Sequence, residues 1–204
     1  MNTLLSDDLL NQLQGPQLAQ ISQQLGLSES QASGAVSAAL PLLLGALGRN
    51  ASQPQGADAL YGALERDHAG LDIGSVLGSA LGGGGQGAEI LGHIFGNRQE
   101  GAARGLGSAT GLGSSQAGSL LKMLAPIVLA YLAKRTFSQG RASPQALGQT
   151  LGDEHEQIRQ RGGLGGGLLG AVLDRDGDGD TDFSDLIGLA GSALGNRQPG
   201  RDLR

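Results

Sequence analysis

Apolar and polar positions along this chain group into long helical stretches parted by short breaks rich in glycine, proline and serine. Two stretches dominate: residues 25–47, LGLSESQASGAVSAALPLLLGAL, and residues 110–132, TGLGSSQAGSLLKMLAPIVLAYL. No segment sustains period-two alternation with β-branched residues, so strands are not expected and the fold class reads as all-α. Ser28-Glu29-Ser30-Gln31 fits a capping box ahead of an Ala/Leu run. Asn97-Arg98-Gln99-Glu100 is a similar start. Pro16 and Pro144 suit first helical positions, after Gly15 and Ser143 as caps. Pro41 and Pro126 fall inside the long runs, where a residue without an amide donor should kink the helix. The glycine runs at 82–85 and 162–167 read as flexible joints.

The pattern repeats. Gly26 aligns with Gly111, Leu27 with Leu112, Ser30 with Ser115, Gln31 with Gln116, Ala32 with Ala117 and Pro41 with Pro126, all at an offset of 85. Further on, Leu60, Leu64 and His68 resemble Leu147, Leu151 and His155 at an offset of 87. Conservation of Ser-Gln-Ala together with a helical proline, without a gap, predicts a tandem duplication. Its units would span 1–96 and 97–195, with 196–204 as a disordered tail.

Composition narrows what such a bundle can be. Glycine supplies 38 of the 204 residues, with three Phe, two Tyr and no Trp, so the core must be Leu and Ala packed through small faces. The net charge of −5 argues against a general nucleic-acid binder. Without cysteine there are no disulfides or thiolate metal sites. The opening MNTLLSDDLL has no basic residue and no long apolar run, so no signal peptide is expected. The apolar run 120–133 is shorter than the ~20 residues of a membrane span and holds Lys122 and Pro126, so it reads as a buried helix, not a transmembrane segment. The cytoplasm is the default location, with leaderless export left open.

A family resemblance is carried by residues 89–99, EILGHIFGNRQ, followed by 111–132 with its LAPIV. Together they resemble the YidB-like family of bacterial proteins, over most of residues 15–160. The resemblance implies an all-helical fold. A homeodomain-like arrangement has been associated with the family, and no established activity comes with it. The glycine-rich joints and the acidic C-terminal segment depart from a minimal member.

That acidic segment, residues 174–185, reads DRDGDGDTDFSD, six aspartates in twelve residues. Counted as an EF-hand-type loop, Asp174, Asp176, Asp178, Asp180, Asp182 and Asp185 occupy positions 1, 3, 5, 7, 9 and 12, and Gly179 the turn at position 6. Asp180 would act through its carbonyl and Asp182 through a water. Oxygen ligands at this spacing fit Ca²⁺ better than Mg²⁺, which prefers to keep its waters. Asp at position 12 resembles dockerin loops. Thr181 replaces the usual apolar residue at position 8, and no second loop is present, so weak binding is expected, roughly 10⁻⁵ to 10⁻³ M. The competing reading is a solvated acidic linker. An exiting helix is expected from Phe183 to about Leu194.

Other motifs yield less. Residues 21–36 imitate a helix-turn-helix, but the would-be recognition helix has no Lys or Arg to meet phosphates, only Gln31. His68, His93 and His155 complete no three-ligand set, and His155 sits in DEHE on what reads as a polar face. No nucleophile elbow, ordered triad or phosphate-binding loop is found, so the chain is not read as an enzyme. Gly74, Gly78 and Gly82 allow close helix contacts within one chain or between chains. The reading is a non-enzymatic, all-α binding or assembly protein with one weak Ca²⁺ site and an unknown protein partner or self-association. The alternatives are a nucleic-acid-binding protein with homeodomain-like helices and a membrane-associated Gly/Leu-rich helical protein.

Overall fold

Some helix starts follow the local signals, but the capping start expected at 97–100 does not form: Asn97 lies in a 3₁₀ turn, and the next helix begins at Gln99 without a side-chain cap. The computed structural model describes residues 4–68, 70–82, 86–138 and 142–161. Within these the order is α1 (Leu5–Leu13), α2 (Pro16–Leu25), α3 (Glu29–Ala51), α4 (Pro54–Ala63) running into a π turn (Leu64–His68), α5 (Ile73–Leu81), α6 (Gly87–Phe95), a 3₁₀ turn (Gly96–Arg98), α7 (Gln99–Thr110), α8 (Ser114–Ser138) and α9 (Pro144–Arg161). There is no strand among the described residues, and the protein is all-α. The capping box forms: Ser28 Oγ accepts from the Gln31 amide at 3.3 Å, and Gln31 Oε1 accepts from the Ser28 amide at 3.1 Å. Pro16, Pro54 and Pro144 each open a helix, and Ser143 Oγ accepts from the Ala146 amide at 3.1 Å. Both α3 and α8 continue as single helices through Pro41 and Pro126.

These two long helices are apolar around most of their circumference, which demands neighbours on every side. They touch each other at the centre. Around α3 pack α1, α2, α4, α7 and α9, while α5, α6, α7 and the π turn pack on α8. One continuous apolar cluster results, running in sequence from Leu5 to Ile158. By length and composition both helices could cross a membrane, but 72% and 78% of their most apolar stretches are buried inside the molecule. Their apolar surface is thus used by the core.

The most extensive helix contact is between α3 and α9. A Cβ built on Gly48 would lie 2.6 Å from the Leu151 carbonyl oxygen and 3.1 Å from the His155 Cβ. Gly148 faces Ala51 and Ala57, and His155 Nδ1 lies 3.1 Å from the Gly45 carbonyl oxygen, so α9 runs antiparallel to α3. This corrects the expectation of a polar face at DEHE. Asp153 and Glu156 are exposed, but Glu154 is only 3% exposed and His155 packs on α3.

The two halves share local details. Gly26 and Gly111 cap α2 and α7 in the left-handed conformation, with φ of 65° and 74°. Gly15 and Gly96 follow α1 and α6 with φ, ψ of 79°, −131° and 59°, −127°. Gln116 Oε1 accepts from the Gly113 amide at 3.3 Å, as Gln31 does from Ser28. The joint at 162–167, the aspartate loop 174–185, the expected exit helix and the tail 196–204 lie outside the described residues, as do 83–85.

Candidate functional site

Where α3 ends, the chain turns back through α4 and leaves a groove between α4, the π turn and α6. The groove holds about 1050 Å³, at the upper end of the ~300–1,000 Å³ usual for binding pockets. Its floor includes Leu47, Leu60, Ile90, Ile94 and Leu129, and its rim carries Arg49, Arg66, Arg98, His93, Asp67 and Glu89. Each wall has a local cause. Pro54 opens α4 after a two-residue connection, which folds α4 back beside the end of α3. A π turn follows α4 and brings Arg66 and Asp67 to the rim; single π turns occur frequently at functional sites. Gly96, with φ 59°, ends α6 and starts the tight turn that places Asn97 and Arg98. The Nη1 nitrogen of Arg98 is withdrawn from solvent.

Asn50 fixes the groove's width. Its Nδ2 donates to the carbonyl oxygens of His93 at 3.3 Å and Ile94 at 2.9 Å. Those carbonyls lie in the last turn of α6, where the helix itself provides no donor. The side chain thereby ties the end of α3 to the end of α6.

Two further polar clusters are structural joints. Tyr131 O–H donates to Asp8 Oδ2 at 2.7 Å, and Arg135 Nη1 donates to the Tyr131 oxygen at 3.2 Å while lying 3.6 Å from Asp8 Oδ2. Burial first, then the hydrogen bond to Asp8, raises the Tyr131 phenol above its ordinary value. Glu154 Oε2 accepts from the Leu5 amide at 2.9 Å, and its Oε1 accepts from the Ser6 amide and Ser6 Oγ, each at 3.0 Å.

The aspartates at 174, 176, 178, 180, 182 and 185 lie outside the described residues. Among the described residues no group of three or more His, Cys, Asp or Glu is placed to hold a metal. The three histidines are dispersed: His68 on the π turn, His93 at the groove rim and His155 against α3. Sequence reading passed over Asn50, Arg66 and Arg98, which look like ordinary polar helix ends. For Arg98 alone a signal was present: the segment 89–99, which carries the family resemblance, supplies Glu89, Ile90, His93, Ile94 and Arg98 to the groove.

The chain belongs to a bacterial family of unknown function, DUF937, whose model matches residues 7–135. YidB is a member of the same family. The matched stretch contains the whole groove lining, whereas α9 and the aspartate loop lie beyond it. Comparison with curated proteins and with solved structures finds no match.

Proposed function

We propose, with membership of that family as the premise, that the protein is a non-enzymatic binding protein whose groove receives a polypeptide segment. The supporting observation is the groove itself: an apolar floor with a mixed charged rim, braced by Asn50 and lying within the family stretch. Apolar concavities with a few oriented polar groups are the usual form of a binding site. The test compares capture from native lysate by the parent and by Ala59→Trp, which would fill the groove from an exposed position on α4. A polypeptide retained by the parent and lost from the variant supports the reading, and equal retention removes it.

A weak Ca²⁺ site at Asp174, Asp176, Asp178, Asp180, Asp182 and Asp185 belongs to the same proposal, supported by the ligand spacing alone. Calorimetry should show Ca²⁺ heats in the parent at roughly 10⁻⁵ to 10⁻³ M and none in an Asp174→Ala, Asp178→Ala double variant. Equal heats in both, or none in the parent at millimolar Ca²⁺, leave only an acidic linker. The tandem duplication is also proposed, supported by the paired Gly conformations and the matching Gln31 and Gln116 caps.

Nucleic acid ranks below a polypeptide as the ligand. The exposed positions in the first half of α3 are Glu29, Ser30, Gln31, Gly34 and Ser37, with no basic side chain. Salt-dependent retention on DNA would reverse that order.

A further inference from the structure

We propose that α9 is an exchangeable helix: it leaves α3 of its own chain and docks on α3 of a second copy, so that Glu154 of one chain caps α1 of the other. The surface is separate from the groove, to which α9 contributes no lining residue. α9 presents a row of anchors. Leu147, Leu151, Glu154 and Ile158 are buried, at spacings of four, three and four, on a helix that is otherwise mostly polar. Helix-in-groove recognition uses anchors at such spacings. Their seat is made of small residues and backbone. Gly48 lies against Leu151 and His155, and Gly148 lies against Ala51 and Ala57. Beside it are the Leu5 and Ser6 amides, which no side chain of α1 caps and which donate to Glu154. The seat thus calls for apolar anchors, a glycine at the crossing and a carboxylate. α9 of a second copy carries all three at the required positions.

What assigns α9 to its own chain is the connection. Only residues 139–143 separate it from α8, yet α9 is seated on α3 and α4 and does not run along α8. Exchange therefore keeps every contact of α9 and alters the connection alone, which is a low-cost route to a dimer. The fold already makes a crossing of this kind between its halves. In the duplication proposed above, Leu147, Leu151 and His155 match Leu60, Leu64 and His68. α4 stays beside α3, but the π turn that carries Leu64 and His68 packs on α8, in the other half. α9 in turn packs on α3. Each half sends this segment to the long helix of the other, so the seat on α3 holds a helix foreign to its own half.

Tethering favours the closed monomer until the chain concentration approaches the effective concentration of a short connection, in the ~mM range. The exchanged dimer is accordingly sparse in dilute solution, and a covalent trap is needed to collect it.

The chain has no cysteine, so single thiols provide that trap. A Cβ on Gly148 would lie 3.5 Å from the Ala57 Cβ, within the ~3.5–4.5 Å of a disulfide. Full-length Ala57→Cys chains and Gly148→Cys chains, one set carrying a size tag, are mixed at about a tenth of the effective concentration and oxidised slowly. The expected result is a disulfide between tagged and untagged chains, several-fold above that formed when Ala59→Cys replaces Ala57→Cys. Ala59 is exposed on α4 and Ala57 is buried, so chance collision favours the control. Both substitutions placed in one chain should close an intramolecular disulfide and leave a monomer. In the trapped dimer the Leu5 and Ser6 amides should keep the slow hydrogen exchange they have in the closed chain. A cross-link no greater than the control, while the single-chain disulfide closes, overturns the proposal. A single-chain disulfide that does not close also overturns it, because α9 is then not seated on α3 as described. Fast exchange of the Leu5 and Ser6 amides in the trapped dimer does the same, since the second copy's Glu154 then caps nothing.

Discussion

Glu154 does for α1 what no nearby residue does. The residue before α1 is Leu4, whose side chain cannot cap, and the carboxylate arrives instead from α9. It meets amides that the helix leaves without partners, at the end where the helix dipole favours negative charge. Glu154→Gln keeps the shape but turns an acceptor oxygen into a donor facing other donors. It should cost about 2 kcal/mol, in the range for hydrogen bonds to a charged group, read as a lower urea midpoint at unchanged slope. An unchanged midpoint would show that water replaces the carboxylate freely. Tyr131 makes a pH-dependent contribution. Its phenol is raised in the folded state, whereas in the unfolded chain it titrates near ~10. Above that pH the unfolded state releases a proton that the native state keeps, so the stabilisation is complete below about pH 10 and declines as pH rises further. Tyr131→Phe should be less stable than the parent by about 1 kcal/mol at neutral pH. The gap should narrow toward about pH 11, and a constant gap in denaturation series at several pH values would contradict this origin.

At the scale of elements, α3 provides its own control. Gly34 has open space around its Cβ position, while Gly48 is pressed against the backbone of α9. Gly34→Ala should therefore stabilise by about 0.5–1 kcal/mol through helix propensity. Gly48→Ala should destabilise by about 1–3 kcal/mol, because α9 must move away. Thermal melts of the two variants should shift in opposite directions, and shifts of the same sign would mean that α9 yields easily. The elements also show how much was legible in the sequence. Ser28 and Gln31, Pro16, Pro144 and Gly26 act on residues within a few positions, so their spacing predicted the starts and the turn. Glu154 acts on residues almost 150 positions away, and its DEHE neighbours spell a polar face. The floor of the groove was likewise hidden, since Leu47, Ile90 and Leu129 come from three helices whose order in sequence does not tell their order in space. Arg66 depends on a π turn that the 3.6-residue periodicity does not anticipate.

For the whole molecule, the continuous cluster from Leu5 to Ile158 means that neither half owns a separate core. Heat should unfold the described bundle in one cooperative transition, with calorimetric and van't Hoff enthalpies equal. Two resolved transitions would show that the halves are energetically independent. The bond from Leu5 to Glu154 also has a meaning in time. A chain is made from its N-terminus, so α1 emerges long before the carboxylate that completes its first turn has been synthesised. At ribosomal rates of about 5–20 residues per second, the 149 residues between the two take roughly 7 to 30 s. Throughout that interval the Leu5 and Ser6 amides lack the carboxylate that will accept from them. The first turn of α1 is thus finished only when α9 arrives, and a nascent chain that stalls short of α9 keeps that turn without its carboxylate.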